Sequence, residues 1–195
     1  LYRVEKDVNQ GRVSIGLPTV KRDHPDVAAL EVMNEILGGS GFTSRIMNRV
    51  RSDEGLAYSA YSSFPGGVFF PYAFTAGFQS KSRTVAYATS IVIEEIKRMS
   101  AEPVSTEELE NAKKGFIDRL PRNFATKAQV AGVLANDEFT GRYATDPDYW
   151  QKVIPRISAV TREDAQRVAK KYLTPERLVI LVVGQNRVDD AMKRA

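Results

Sequence analysis

Two neighbouring segments alternate in side-chain character at every second position, and this alternation constrains the fold more than any other feature. Residues 56–61 and residues 70–78 both show it, and it is the spacing of side chains on one face of a β-strand. Pro65-Gly66-Gly67 lies between them and is typical of a hairpin-type turn. The two strands should therefore pair in an antiparallel sheet. Pro71 has no backbone N–H, so we expect a bulge or a sheet edge there.

The rest of the chain shows two further strand patterns and several helical ones. Residues 12–17 alternate polar and apolar side chains, as a half-buried strand does. Residues 178–183 are consecutively apolar, which predicts a strand buried on both faces. The stretch 125–143 is helical in pattern and rich in small residues, which suits close packing. Helices are also predicted over about 25–37, 43–52 and 81–99, and from Ser105 and Thr161 onward.

Three local signals mark helix ends. Ser105 followed by Glu108 is a capping box, in which each residue hydrogen-bonds the backbone of the other. Thr161-Arg162-Glu163-Asp164 opens the last helix. Gly55 lies just beyond a short helix and is placed to adopt the left-handed conformation that ends it. Together these patterns predict one α+β domain over 1–195. Its sheet is mixed or antiparallel, and its helices pack largely on one side.

Composition excludes most kinds of catalytic site within this chain. There is no Cys and a single His, His24, so neither a thiolate zinc site nor a pair of His ligands can form. The net charge of +4 is small and spread along the chain, which argues against nucleic acid as a partner. No apolar run is long enough for a membrane-spanning helix. The chain opens at Leu1 rather than Met, so we expect a piece of a longer protein.

One segment, residues 38–60, differs from ordinary core sequence. Arg51 ends a predicted helix, Tyr58 begins a strand seven residues on, and Gly55 allows a sharp turn between them. That turn would bring a guanidinium and a phenol to one end of the sheet, where they suit a peptide carbonyl or a developing oxyanion. The alternative is structural: Arg51 interacts with the helix dipole, and Tyr58 packs with its hydroxyl in water.

The same segment resembles the insulinase/pitrilysin family of zinc metallopeptidases. Leu-Gly-Gly, Ser-Arg-Ile and the run Arg51-Ser-Asp-Glu-Gly-Leu-Ala-Tyr58 are similar to the SRL…LRE..GLAY motif of that family. The helix starts at Ser105 and Thr161 and the closing Leu-Val-Ile-Leu-Val-Val-Gly segment fit in the same order. The resemblance extends over most of the chain. The family includes the mitochondrial processing peptidase and the core subunits of the bc1 complex.

The resemblance implies a fold and a division of labour. Family members pair two homologous α+β halves, of which one carries zinc on an H-x-x-E-H motif. This chain lacks that motif and is similar to the noncatalytic, processing-peptidase-like half, which supplies an Arg/Tyr pair. Arg51 and Tyr58 would then act at the scissile bond, and Gly38, Gly39 and Gly41 would match a substrate-binding glycine loop. Arg45 matches the family too, but we expect it to form a structural salt bridge.

The sequence therefore predicts a substrate-clamping domain that is not catalytically competent alone. No metal is expected in this chain, and zinc is expected on the partner half, which lies in the same polypeptide or in another subunit. The other predicted partner is a peptide substrate. A purely structural or assembly domain of the same family is the alternative, and nucleic-acid binding through Arg45, Arg49 and Arg51 is a third. A bacterial protein of the periplasm or the cytoplasm is expected.

Overall fold

A computed structural model describes residues 2–5 and 8–184, and its centre is one mixed five-stranded sheet. The strands lie in the order β1-β5-β2-β4-β3. Strand β1 runs parallel to β5, and all other neighbours are antiparallel. The strands are β1 (Tyr2–Glu5), β2 (Gln10–Pro18), β3 (Ala57–Ser63), β4 (Ala73–Lys81) and β5 (Val179–Gly184).

Helices fill the intervals between the strands. The first two are extended by wider π-type turns, Glu35–Gly39 after α1 and Asn48–Asp53 after α2. The predicted capping box of Ser105 and Glu108 is present at α4, and the structure shows a second one at α8, formed by Thr161 and Asp164. The helices are α1 (Val27–Asn34), α2 (Arg45–Met47), α3 (Val85–Ala101), α4 (Thr106–Arg119), α5 (Lys127–Phe139), α6 (Arg142–Thr145), α7 (Tyr149–Ala159) and α8 (Arg162–Tyr172).

The core lies between one face of the sheet and the helices. On β2 the side chains of Val13, Ile15 and Leu17 are buried, whereas Arg12 and Ser14 point to the opposite, exposed face. This alternation agrees with the half-buried strand that the sequence predicts. The predicted α+β class, with a mixed sheet and helices largely on one side, is confirmed.

The prediction that residues 178–183 form a strand buried on both faces is wrong. Val179 and Leu181 are exposed, at 53% and 39% of their surface. Strand β5 lies between β1 and β2 in the sheet, so alternate side chains point to the face on which Arg12 and Ser14 are also exposed. Strand β5, which contains most of this apolar run, lies in the interior of the sheet, but only one of its faces is directed toward the core.

The small-residue stretch 125–143 was expected to pack closely, but its helix α5 does not do so against the residues that the structure describes. Ala128, Ala131, Gly132 and Ala135 of α5 are all exposed. The one buried side chain of α5 is the carboxylate of Asp137. Trp150 Nε1 donates to Asp137 Oδ2 at 2.6 Å, and an Arg142 nitrogen lies 3.3 Å from Asp137 Oδ1.

The β3–β4 connection is longer than the predicted hairpin turn. Strand β4 begins at Ala73, so Pro71 lies before the strand rather than at a bulge within it. Backbone hydrogen bonds fix the connection to the segment after β2, from Gly67 N to Val20 O (3.0 Å) and from Arg22 N to Gly67 O (2.9 Å). The irregular strand pairing lies in β3, between Ala57 and Ala60.

Candidate functional site

The glycine-rich turn after α1 is shaped by close backbone packing. Gly38 is buried, and a Cβ at this position would overlap the backbone of Ser62 on β3. Gly39 is exposed and lies against the side chain of Asn34. Gly41 has a φ of +60° and open space around it, a backbone conformation that glycine adopts without strain. The left-handed residue reverses the chain and begins a short 3₁₀ turn, Gly41–Thr43.

A second glycine brings Arg51 and Tyr58 together. Gly55 has a φ of +61°, as the sequence predicts for the residue that ends this helical segment. Gly55 N donates to Arg51 O at 3.0 Å, and Leu56 N donates to Val50 O at 2.9 Å. These bonds close a tight turn from the helical segment into β3, and Tyr58 is the second residue of that strand.

The guanidinium of Arg51 lies over two exposed aromatic rings. Its Cζ atom is 4.9 Å from the centroid of Tyr58 and 4.5 Å from that of Phe42. Tyr58 is 83% exposed and Phe42 65% exposed. Cation–π contacts of this kind hold a guanidinium in place without using its N–H donors. The structure therefore adds Phe42 to the pair that the sequence singles out.

Arg51 has no hydrogen-bond or ion-pair partner among the described residues, and its Nη1 is buried. A guanidinium has five N–H donors, and an unsatisfied buried donor in a native protein calls for an explanation. The structural alternative, in which Arg51 interacts with the helix dipole, is compatible with its position, because Arg51 lies in the last turn of the helical segment Asn48–Asp53.

Arg45 forms the structural salt bridge that the sequence predicts. Its Nε and Nη2 donate to the two carboxylate oxygens of Glu108, at 2.6 and 3.0 Å. Burial alone would raise the pKa of Glu108, but the hydrogen bonds from Arg45 and Ser105 lower it to about 2. Glu108 also takes part in the capping box of α4, so this pair fixes the position of α2 on α4.

The residues that the structure describes do not fit a zinc site. They contain no group of three or more His, Cys, Asp or Glu side chains placed to hold a metal ion. His24 Nδ1 accepts a hydrogen bond from Asp26 N at 3.1 Å, and the ring makes an edge contact with Tyr172. Within the same residues, the helices are all too short or too polar to cross a membrane.

Sequence reasoning missed Phe42. A single aromatic residue after a glycine turn has no periodicity that would indicate its role. The available signal was its place in the sequence, directly after Gly41 and within the segment that already contained Arg51 and Tyr58. Gly41 has a left-handed backbone, and the ring of the next residue, Phe42, lies against the Arg51 guanidinium.

Comparison with known proteins identifies the family. The family model described as peptidase M16 inactive domain matches residues 1–116. The non-peptidase homolog YmxG of Helicobacter pylori is 31% identical over 196 residues, which cover 94% of this chain and 42% of that protein. The uncharacterized zinc protease YmxG of Bacillus subtilis is 25% identical over 183 residues, which cover 91% of this chain and 42% of that protein. The chain thus spans less than half the length of these relatives.

A solved structure supports the same assignment at the level of the fold. The peptidase M16 inactive domain from Pseudomonas fluorescens superposes with a TM-score of 0.85 at 24% identity, covering 96% of this chain and 44% of that chain. The expected relationship to zinc metallopeptidases of this kind is confirmed. The chain belongs to the peptidase M16 inactive-domain family, as a noncatalytic half of zinc protease-like proteins.

Proposed function

We propose that this domain binds a peptide substrate and orients it opposite a zinc-bearing half of the same enzyme. The observation that carries the proposal is the Arg51 guanidinium, held over Phe42 and Tyr58 and without a protein partner among the described residues. Arg45 differs from Arg51 in that its Nε and Nη2 donate to Glu108, although the Nη1 atoms of both arginines are buried without a hydrogen-bond partner among the described residues. In this proposal the ligand takes the guanidinium donors of Arg51 other than the buried Nη1.

The chemistry of the pair matches a peptide backbone. The planar guanidinium donates to a carbonyl or carboxylate oxygen, and the phenol of Tyr58 supplies a further O–H donor nearby. Donors fixed before the reaction stabilise the negative charge that develops on a carbonyl oxygen during hydrolysis. In this proposal Gly39 and Gly41 line the same site, and Gly38 sets the shape of their turn from its buried position.

The hydrolytic chemistry itself is assigned to the partner half. Zinc and the H-x-x-E-H motif belong there, in the same polypeptide or in a separate subunit, and supply the activated water. This chain contributes binding and orientation, which raise the rate by holding the scissile bond in a reactive position.

Substitution in the complete enzyme tests the proposal. Arg51→Ala should lower kcat/KM for a fluorogenic peptide by about 100-fold, the size of effect seen when one oxyanion donor is removed, and Tyr58→Phe by about 10-fold. Arg122→Ala is the matched control, because this exposed arginine follows the far end of α4 and forms no ion pair with the described residues. Full activity in the Arg51→Ala enzyme would contradict the proposal.

A structural or assembly role is the second candidate, and the name of one relative favours it. The Helicobacter pylori protein that is 31% identical to this chain is described as a non-peptidase homolog. The double variant Arg51→Ala/Tyr58→Phe separates the two candidates. Under the structural candidate, peptide affinity and turnover stay unchanged while the assembly forms normally. Under the proposed function, affinity and turnover both fall and assembly is unaffected.

A further inference from the structure

A cavity of 710 Å³ lies between the start of α1 and the helices α6, α7 and α8. Its volume is in the range of sites that hold small organic ligands. Arg51, Phe42 and Tyr58 are not among its lining residues, so it is separate from the candidate site described above. Much of its lining is apolar, including Val27, Ala28, Val153, Ile157 and Val160.

Glu31 on α1 brings an unpaired carboxyl group into this cavity. Its side chain is half-buried and forms no ion pair with the described residues. A carboxylate that is removed from water without a cationic partner costs free energy of folding. Such a group in a cleft is typical of a functional site, where a ligand supplies the missing partner.

Arg142 is the cation closest in effect to Glu31, but its guanidinium is engaged elsewhere. Its Cζ atom lies 4.0 Å from the centroid of the Tyr149 ring, and its Nη1 lies 3.3 Å from Asp137 Oδ1. Burial raises the pKa of Glu31 to about 7, Arg142 lowers it only partly, and Glu35 raises it further. The carboxyl group therefore still lacks a compensating charge.

The charged groups on α7 and α8 form pairs of their own. Arg156 Nη2 donates to Asp146 Oδ2 at 2.8 Å. Arg167 Nη1 donates to Asp26 Oδ1 at 2.8 Å, and its Nη2 donates to Asp164 Oδ1 at 3.2 Å. These arginines are thus compensated and do not turn the cavity into a site for an anion.

The segment before α1 supplies the remaining charged and titratable groups of the lining. Arg22 donates to Thr140 Oγ1 at 2.6 Å and to Thr140 O at 2.7 Å. Asp23 is exposed, and the His24 ring accepts a backbone hydrogen bond through Nδ1. Arg22 and Asp23 are neighbours in the chain and carry one charge of each sign, so they leave the balance of the cavity unchanged.

We propose that this cavity binds a ligand that carries a primary ammonium group on an apolar body. The ammonium donates to the Glu31 carboxylate, and the apolar body packs against the side chains of α1 and α7. An anion would be repelled by the carboxylate, and a metal ion would need further ligands, whereas the described residues hold no cluster of three metal-ligating side chains. This site does not depend on the proposed function.

Matched ligands test the site in the full-length protein with its partner half. Hexylamine and 1-hexanol have the same apolar chain, and only the amine is charged. Isothermal titration calorimetry gives the Kd of each. At pH 8 we expect hexylamine to bind about tenfold more tightly than hexanol, as one charge-assisted hydrogen bond at a half-buried site provides.

The affinity for the amine should also depend on pH. Only the ionised carboxylate attracts the ammonium, and Glu31 changes from mostly protonated to mostly ionised between pH 6 and pH 8. The Kd of hexylamine should therefore fall about tenfold over this range, while that of hexanol stays constant. His24 titrates in the same range, so a variant is needed to assign the effect.

Glu31→Gln makes that assignment, because it keeps His24 and removes the carboxylate. In this variant hexylamine should lose its advantage over hexanol and its dependence on pH. Glu138→Gln is the control, since it makes the same change on the exposed surface of α5 outside the cavity, and it should bind hexylamine as wild type does. The proposal is overturned if hexanol binds wild type as tightly as hexylamine, if Glu31→Gln leaves the Kd of hexylamine unchanged, or if Glu138→Gln weakens binding to the same extent.

Discussion

Glu31 gives the sharpest test of the electrostatics of this fold. It lies on α1 at the wall of a 710 Å³ cavity that α6, α7 and α8 also line, and it forms no ion pair with the described residues. Burial raises the pKa of Glu31 from 4.5 to about 7, Arg142 lowers it only partly, and Glu35 raises it further. The other charged or titratable groups at the cavity are Arg22, Asp23, His24, Asp146, Tyr149, Arg156, Asp164 and Arg167.

The raised pKa makes Glu31 a destabilising group at high pH. The folded state holds the Glu31 proton up to about pH 7, whereas the unfolded chain releases it near 4.5. Stability should therefore fall as pH rises between these two values, and the full penalty is present above pH 7. The difference corresponds to about 3 kcal/mol. Water entering the open cavity reduces it, so we expect about 1–2 kcal/mol.

Urea denaturation of wild type and Glu31→Gln at pH 5 and pH 8 measures this penalty. The amide keeps the shape of the carboxyl group and cannot ionise, so the variant should be more stable than wild type at pH 8. Its advantage should shrink by about 1–2 kcal/mol at pH 5, where the folded protein already holds the proton. Glu138→Gln, on the exposed surface of α5, is the control and should show no such pH dependence.

Two outcomes would refute this reasoning. If Glu31→Gln is less stable than wild type at pH 8, the carboxylate has a stabilising partner and is not penalised by burial. If the gain is equal at pH 5 and pH 8, the substitution acts through packing and the pKa of Glu31 is near its ordinary value.

Three further predictions use the same denaturation assay. Glu108→Gln should cost about 2 kcal/mol at pH 7, because it leaves the buried guanidinium of Arg45 without its anion; an unchanged midpoint would show that the pair is not needed. Gly38→Ala should cost about 2 kcal/mol or more, since the added methyl group overlaps Ser62. Gly132→Ala should instead stabilise by about 0.5–1 kcal/mol, because the helix position is open and alanine is the better helix former. A loss at Gly132 would contradict this.

Local signals in the sequence predicted local structure well. The capping box at Ser105 depends on two residues three positions apart, and it is formed; the helix predicted to open at Thr161 begins at Arg162. Gly55 has the left-handed backbone that its place after a helix indicates. Strand β2 shows the predicted alternation of buried and exposed side chains. Each of these features is determined by neighbours in the chain, so the sequence contains the information directly.

The failed predictions concern what packs against an element. Six consecutive apolar residues in β5 and a small-residue face on α5 both indicated burial, yet Leu181 and Ala131 are exposed. Burial depends on which elements cover a face, and periodicity within one segment does not contain that information. Both segments lie in a chain that spans less than half the length of its relatives.

The identity of the candidate site depended on the resemblance, and the structure explains why residue patterns alone left it open. An arginine at a helix end and a tyrosine at a strand start have ordinary structural roles, so their spacing fits either a structural or a peptide-binding role. The two roles differ in which groups accept hydrogen bonds from the arginine. Arg45 donates to Glu108, and Arg98 donates to Glu95 at 2.9 Å. Arg51 lies over two aromatic rings, and its Nη1 has no hydrogen-bond partner among the described residues; the proposed function assigns its donors to a ligand.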